Sequence, residues 1–557
     1  MMSKQVRKLV PIAAAVALLA GCGANDQGAA QNAAAKAEQG GTLRILSEGQ
    51  TVNYDPAKSS SLPITSLGYV HRRLTGWLNA EGEQVEVVPD LADTGTASDG
   101  GKTWTFTLKE GLKFSDGSPI RAQDVKWGVE RTYAPAFSGG LGYHKQLLVG
   151  GADYRGPFEG KRLDSIQTPD DKTIVFHLTR PYGDWPWITS TPAFAPVPEG
   201  KGAEPDYGEH PVASGPYQIA SYQRGVQVRL TRNANWDKGS DQIRGGLPDE
   251  VVFQLGQEAS VVSQRLVADS GDDRTAFGSS FASPAQLAQL QGNASAKQRL
   301  VTSRTGALAY LAINTEKLTD PKVRQAFQYA VDKTSFQIAS AGSAQLAGDV
   351  ATTLITQGIA GREQFDLYPT QPAGDVDKAK QLLTEAGLPN GLDNLDFVVS
   401  KSNDAPAKAQ ALQAALARAN IRTNIRVLDP DAYTAETSQA ANPTYDLTLG
   451  SWQPDFPSAN ANIQPLFASS EVGGGGYNLS RYRNPEVDRL IEAAQSEVDP
   501  VAAGKKWVEL DRRILADSPV VPLIYTRNSF LRGSKVANFY IADFPAYPNY
   551  LQAGIAK

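Results

Sequence analysis

Between Leu395 and Val427 the chain passes from a short apolar run through an alanine-rich stretch to a second apolar run, a pattern that few folds accommodate. Leu395 to Val399 has the length of a buried strand, and about Ala405 to Ala419 has the length and composition of a helix. Ile421, Ile425 and Val427 then recur at the even spacing of one strand face. Strand, helix and strand in that order make a β-α-β unit, because the helix returns the chain across the sheet and sets the two strands parallel.

Other segments carry their own start and stop signals. Asp320-Pro321 places an N-cap and a first-turn proline ahead of Val323, Ala326, Phe327, Ala330 and Val331, the spacing of one helical face. Asp375 opens a helix with the stripe Val376, Ala379, Leu382, Leu383 and Ala386, stopped by Gly387 and Pro389. Further helices start near Asn484-Pro485 and Val501, and a strand from Val520 to Tyr525 follows Ser518-Pro519. Nearer the N-terminus, Trp104, Phe106 and Leu108 alternate with threonines from Thr103, a second strand is predicted from Thr173 to Leu178, and a helix from Ala122 to Arg131 lies between them. The body is therefore mixed α/β, with no repeat of about 20–50 residues.

The first residues predict export. Lys4, Arg7 and Lys8 precede an apolar run, Leu9 to Ala20, that is too short to cross a bilayer core of about 30 Å. The run closes on Leu19-Ala20-Gly21-Cys22, the pattern of a lipobox, so residues 1–22 read as a lipoprotein signal that leaves Cys22 as a lipidated N-terminus. Two or more acyl chains there hold a protein stably at a membrane, which places this one outside the cytoplasm on the periplasmic or cell-surface side. Residues 23–39, rich in Ala, Gly, Asn and Gln, read as a flexible tether, and the folded body starts near Gly40.

Cys22 is the only cysteine and both methionines, Met1 and Met2, precede it, which excludes a disulfide scaffold and thiol catalysis. A net charge of -5 over 557 residues, without charge blocks, argues against a nucleic-acid surface and for a small-molecule partner. Gly95 to Thr103 nearly matches a phosphate-binding loop, but five residues separate Gly95 from Gly101-Lys102-Thr103 and a strand follows where a helix is needed, so a hairpin turn is expected. His71, His144, His177 and His210 lack metal-ligand spacing and read as structural. No nucleophile elbow occurs, so no catalytic residue, metal or cofactor is predicted. Gly473 to Gly476 reads as a mobile loop before Tyr477.

Larger motifs add a family resemblance. Pro89-Asp90-Leu91-Ala92, Trp104-Thr105-Phe106 and Lys113 to Pro119 resemble the family 5 extracellular solute-binding proteins of peptide ABC transporters. The likeness continues through Ser214-Gly215-Pro216-Tyr217 with Asn233 and Trp236, Leu311 to Asn314, the Asp320 to Lys333 helix and Asn484 to Asp488. It implies a type 2 periplasmic-binding fold, two lobes around a ligand cleft with an inserted extra domain: 40–67, 199–305 and 526–557 in the first lobe, 68–198 inserted, and 306–525 in the opposing lobe. It also implies a monomeric, non-enzymatic receptor that delivers peptides to membrane permease subunits, with lobe closure reporting occupancy.

The resemblance directs attention to Tyr445 to Pro457. Asp455 matches a carboxylate that pairs with the free α-amino group of bound peptides in relatives, and the preceding segment, with Trp452 and Gln453, meets peptide main chain. Asn478 matches a ligand contact, and Tyr54 lies in a loop before Asp55-Pro56 that faces the cleft. An ammonium removed from water needs such a compensating charge. Two departures bear on this: Arg121 replaces a common helix-capping threonine, and Leu449 replaces an arginine that some oligopeptide binders place near the ligand. A nickel chelate, an oligosaccharide or an opine-like ligand in the same role, and an extracellular hydrolase, stand as alternatives.

Overall fold

The computed structural model of the protein describes residues 36–557 except 61–63, 79–84, 138, 291 and 402–403. The signal, Cys22 and most of the expected tether lie outside the described residues. No helix among those described is long and apolar enough to cross a membrane.

Three sheets organise the chain. The first opens with β1 (Thr42–Leu46), two residues after the expected start of the body. It has five strands, in the order Ala276–Gly278, β1, Glu250–Gln254, Gln227–Arg232 and Tyr217–Gln223. The second is a four-stranded antiparallel sheet centred on β2 (Thr103–Thr107) and β3 (Thr173–His177), paired with Trp104 opposite Phe176. The near phosphate loop is a hairpin as expected: Thr96–Ser98 returns antiparallel onto β2, with Ala97 opposite Trp104. Helix α1 (Ala122–Arg131) covers this sheet with Val125 and Val129. At its start the backbone N–H of Arg121 donates to the Asp124 carboxylate at 2.8 Å, so a side chain one turn on supplies the cap.

The third sheet holds the β-α-β unit. In chain order its elements are β4 (Leu308–Ile313), α2 (Pro321–Ala330), α3 (Lys333–Ala341), α4 (Val376–Glu385), β5 (Leu392–Ser400), α5 (Ala405–Arg418), β6 (Ile421–Leu428) and β7 (Leu447–Trp452). After β7 follow α6 (Asn460–Phe467), α7 (Pro485–Gln495), α8 (Pro500–Asp517) and β8 (Val520–Thr526). The strand order is Gly348–Val350, β8, β4, β7, β5, β6. β5 and β6 run parallel with Phe397 opposite Ile425, and α5 packs Ala409, Leu412, Ala415 and Leu416 onto them. Val427 shares the strand face of Ile421 but is 44% exposed, at the far end of this edge strand.

The predicted caps form. The carboxylate of Asp320 accepts from the Lys322 N–H and that of Asp375 from the Lys378 N–H, while Asn484 accepts from Glu486 and Val487; each satisfies an orphan donor of a first turn, worth about 1 kcal/mol. Odd residues of β4 face the helix-covered core with Phe327 and Leu416, whereas Leu308, Tyr310 and Ala312 face a second core shared with Trp507 and Ile514.

Asp90 of the Pro89 to Ala92 motif is a buried anchor. Arg244 meets it at 2.8 Å and Arg72 at 2.8 Å, while Arg244 also holds Asp241 at 3.0 Å, and all four side chains are nearly inaccessible. Burial alone would raise the Asp90 carboxyl, but Arg244, Arg72 and Arg73 hold it far below the usual carboxylate range. Removing one partner of such a cluster costs about 3–5 kcal/mol.

Candidate functional site

β7 ends in the loop that carries Asp455, and several contacts fix that loop. Trp452 donates its indole N–H to the Ala461 carbonyl at 2.6 Å, closing the loop on α6. Phe456 is fully buried among Trp104, Phe176 and Phe194, in the core of the second sheet. Ser458 donates to the Asp184 carboxylate at 2.7 Å, and Asn460 bridges Tyr182 at 2.7 Å and Gln495 at 2.9 Å. Residues 456–461 therefore belong by packing to the 68–198 region as much as to their own sheet.

Asp455 stands half-buried in this frame. Its Oδ2 accepts from the Tyr143 hydroxyl at 2.6 Å, and the Tyr143 ring meets Phe456 edge to face. Burial raises the Asp455 carboxyl above its ordinary value, the Tyr143 hydrogen bond opposes this, and among the described residues no cation pairs with it. The Tyr143 phenol is pushed well above its usual range by burial and then by Asp455, with Glu471 adding to the effect. A half-buried carboxylate of this kind has the chemistry to accept a hydrogen bond from a cation.

The strand before Asp455 offers main-chain groups. β7 pairs with β4 along its whole length, from Leu447 opposite Ile313 to Trp452 opposite Leu308. Its other edge pairs with β5 only at Leu447 and Thr448. From Leu449 to Trp452 that edge therefore carries no strand among the described residues, although the Tyr433 hydroxyl donates to the Leu449 carbonyl at 3.1 Å. Gly450 is needed here because a Cβ would come within 2.1 Å of the Tyr310 ring. A cavity of about 970 Å³ lies alongside, lined by Leu449, Gly450 and Ser451 of this strand, by Gln453 just after it, and by Phe281 and Tyr547.

The sequence-derived residues are distributed unevenly around this site. Gln453 lines the cavity and Asp455 faces Tyr143. Trp452 is half-buried and stacks on Tyr477, which is 55% exposed, with ring centroids 4.8 Å apart. The glycines at 473–475 take the positive φ values of a tight loop before Tyr477. Asn478 is buried, its amide N–H groups donating to the Ala468 and Tyr482 carbonyls and its oxygen accepting from Ser480 and the Tyr482 N–H, so its side chain is saturated by the protein. Tyr54 is fully buried, its ring edge to face with Phe253 and its hydroxyl without a partner among the described residues, and the structure brings it to the core that also holds Trp507 and Ile514 and not to Asp455. His71 and His144 are core residues whose imidazoles burial pushes down to about 4 and about 3. Tyr143, Asp184, Phe281 and Tyr547 were not singled out by sequence: each sits in a segment with no motif, far along the chain from what it touches.

Comparison with known proteins places this architecture. The model for bacterial extracellular solute-binding proteins, family 5 (middle region), matches residues 86–474, and the chain belongs to that family. The glutathione-binding protein GsiB of Salmonella typhi is 27% identical over 463 residues, covering 81% of this chain and 83% of its own. The structure of clavulanic acid biosynthesis oligopeptide binding protein 2 superposes with a TM-score of 0.86 at 30% identity, covering 94% of this chain and 97% of that one. The oligopeptide-binding protein AppA from Bacillus subtilis, in complex with a nonapeptide, shares the fold with a TM-score of 0.67 at 22% identity over 94% of this chain and 100% of its own. The fold is the periplasmic-binding type, and the role is extracytoplasmic substrate binding for an ABC transporter.

Proposed function

We propose that the protein captures peptides by their free amino terminus and hands them to the permease of an ABC importer, without breaking any bond. The observation that carries this reading is the open edge of β7 leading to Asp455, a half-buried carboxylate with no cationic partner among the described residues. An extended peptide adds to such an edge through its main chain, and its ammonium supplies the missing charge. Main-chain bonding at the edge ignores side-chain identity.

The 40–67, 199–305 and 526–557 segments act as one lobe, 68–198 as the inserted domain and 306–525 as the opposing lobe. In support, the five-stranded sheet draws all its strands from residues 42–278 and the six-stranded sheet from 308–526. The antiparallel pair Leu300–Thr302 and Ser529–Leu531 runs between them as a double crossing suited to a hinge. A lipid on Cys22 keeps the receptor beside its permease. Glutathione carries a carboxylate on the same carbon as its ammonium, and with no cation among the described residues paired to Asp455 to receive it, α-linked peptides fit better.

Calorimetric titration of the mature protein with a tetrapeptide and its N-acetylated form tests the reading. The free amine binds at least about 100-fold tighter, and Asp455→Ala removes the difference. Equal affinity for both forms would sink the assignment.

A further inference from the structure

The cavity beside β7 differs in charge from the ground around Asp455. The charged residues lining it are Asp404, Lys408 and Arg527, and each cation is already engaged. Lys408 pairs with Asp404 at 2.5 Å and lies over the Phe336 ring. Arg527 pairs with Asp349 at 2.8 Å and donates to the Gln345 carbonyl at 2.7 Å. The larger uncharged side chains are apolar, Leu449 and Ile524 on the sheet with Phe336, Leu346 and the Phe281–Tyr547 pair, whose ring centroids are 5.1 Å apart, and neutral Ser340, Thr526, Asn528 and Ser529 lie among them. Phe281 is 43% exposed, an aromatic left part-open at the rim.

We infer that this cavity selects the ligand by apolar side chains and leaves its carboxyl end unread, so that Asp455 is the single charged anchor. The inference deepens the peptide-binding reading and rests on it. A peptide laid along Gln453, Ser451 and Leu449 advances about 3.3 Å per residue and directs alternate side chains into the space against Phe281, Phe336 and Leu449. Burying an apolar side chain there removes apolar surface from water, which favours binding. Among the described lining residues a carboxylate gains no free cation and a lysine no free carboxylate, so either is desolvated without a counter-charge. The ligand's terminal carboxylate finds no reserved partner and stays in water, which leaves ligand length unclamped at that end.

The test is titration of the full mature chain with free-amine tetrapeptides Ala-X-X-Ala, where X is Leu, Phe, Glu or Lys, and with the C-terminal amide of the Phe member. The Leu and Phe peptides bind about tenfold or more tighter than the Glu and Lys peptides, and amidation changes affinity by less than about threefold. Leu449→Arg, which adds an unpaired cation to the edge, raises affinity for the Glu peptide and makes amidation costly. Phe281→Ser reduces discrimination, whereas Phe281→Leu, which keeps an apolar contact with Phe530 and Tyr547, preserves the preference for Leu and Phe over Glu and Lys. Equal affinity across X, or a tenfold loss on amidation of the unmodified protein's ligand, overturns the inference. If peptides bind in an amine-dependent way without discriminating X, only the selectivity falls. If none of them binds, the peptide reading falls with it.

Discussion

Tyr143 and Asp455 stand 312 residues apart in the chain and meet through a 2.6 Å hydrogen bond in which the phenol donates to Oδ2. The bond ties the 68–198 region to the loop after β7, and it tunes the carboxylate proposed to receive the ligand amine. Because burial raises the Asp455 carboxyl and Tyr143 lowers it, Tyr143→Phe moves it further up. Peptide affinity falls as pH drops through the Asp455 titration, where the carboxylate loses its charge, and in Tyr143→Phe this fall begins at a higher pH. Affinity measured from pH 4 to 8 for both proteins shows the offset; superimposable profiles would separate Tyr143 from the anchor.

Ser458 holds the same loop from the other side. Burial pushes the Asp184 carboxyl up to about 6, against hydrogen bonds from Ser458 and Asn460. Ser458→Ala removes one of these and costs about 1–3 kcal/mol of stability. The loosened loop also weakens peptide binding, by about three- to tenfold in calorimetry. Unchanged binding with lowered stability would confine Ser458 to a structural role.

Gly450 makes room for an aromatic ring. A Cβ there would lie 2.1 Å from the Tyr310 ring, and Tyr310 is buried in the second core, with Trp507 and Ile514. Gly450→Ala forces the ring or the strand to shift and destabilises by about 1–3 kcal/mol. Urea unfolding measures the loss, and binding along the β7 edge weakens with it.

Asp511 gives the protein an acid-side stability that it loses toward neutrality. Burial pushes its carboxyl up to about 7, although the Leu354 and Ile355 N–H groups donate to it at 2.9 to 3.1 Å. The folded protein keeps a proton that the unfolded chain releases near pH 4. The contribution is therefore complete below about pH 4 and is lost as pH rises through about 7, by at most about 4 kcal/mol. Asp511→Asn removes this component, so the difference in urea-unfolding free energy between pH 5 and pH 8 is smaller than in the unmodified protein. An equal difference in both would show that Asp511 keeps its proton affinity on unfolding.

Local order was legible in the sequence wherever the signal was itself local. Asp320, Asp375 and Asn484 cap the helices they precede because a cap and its N–H donors are two or three residues apart. The period of Trp104 and Phe106 selected one sheet face, and the alternation between Leu395 and Val427 required a parallel pair. The hairpin at Gly95 followed from a strand standing where a phosphate loop needs a helix. Family motifs then pointed to Asp455.

The environment of Asp455 was decided in three dimensions. Tyr143, Asp184 and Tyr182 reach its loop from the 68–198 region, and no spacing in the chain encodes their meeting. Asn478 and Tyr54 show the converse, since position suggested ligand contacts while packing saturated the amide of one and buried the ring of the other. The open edge of β7 depends on where β5 stops pairing, which is a property of the assembled sheet. Sequence by itself set the strands, the caps and the candidate carboxylate, because these depend on residues close in the chain. Only tertiary structure supplied burial, the missing counter-charge and the neighbouring cavity, because solvation and charge pairing depend on what surrounds a group in space.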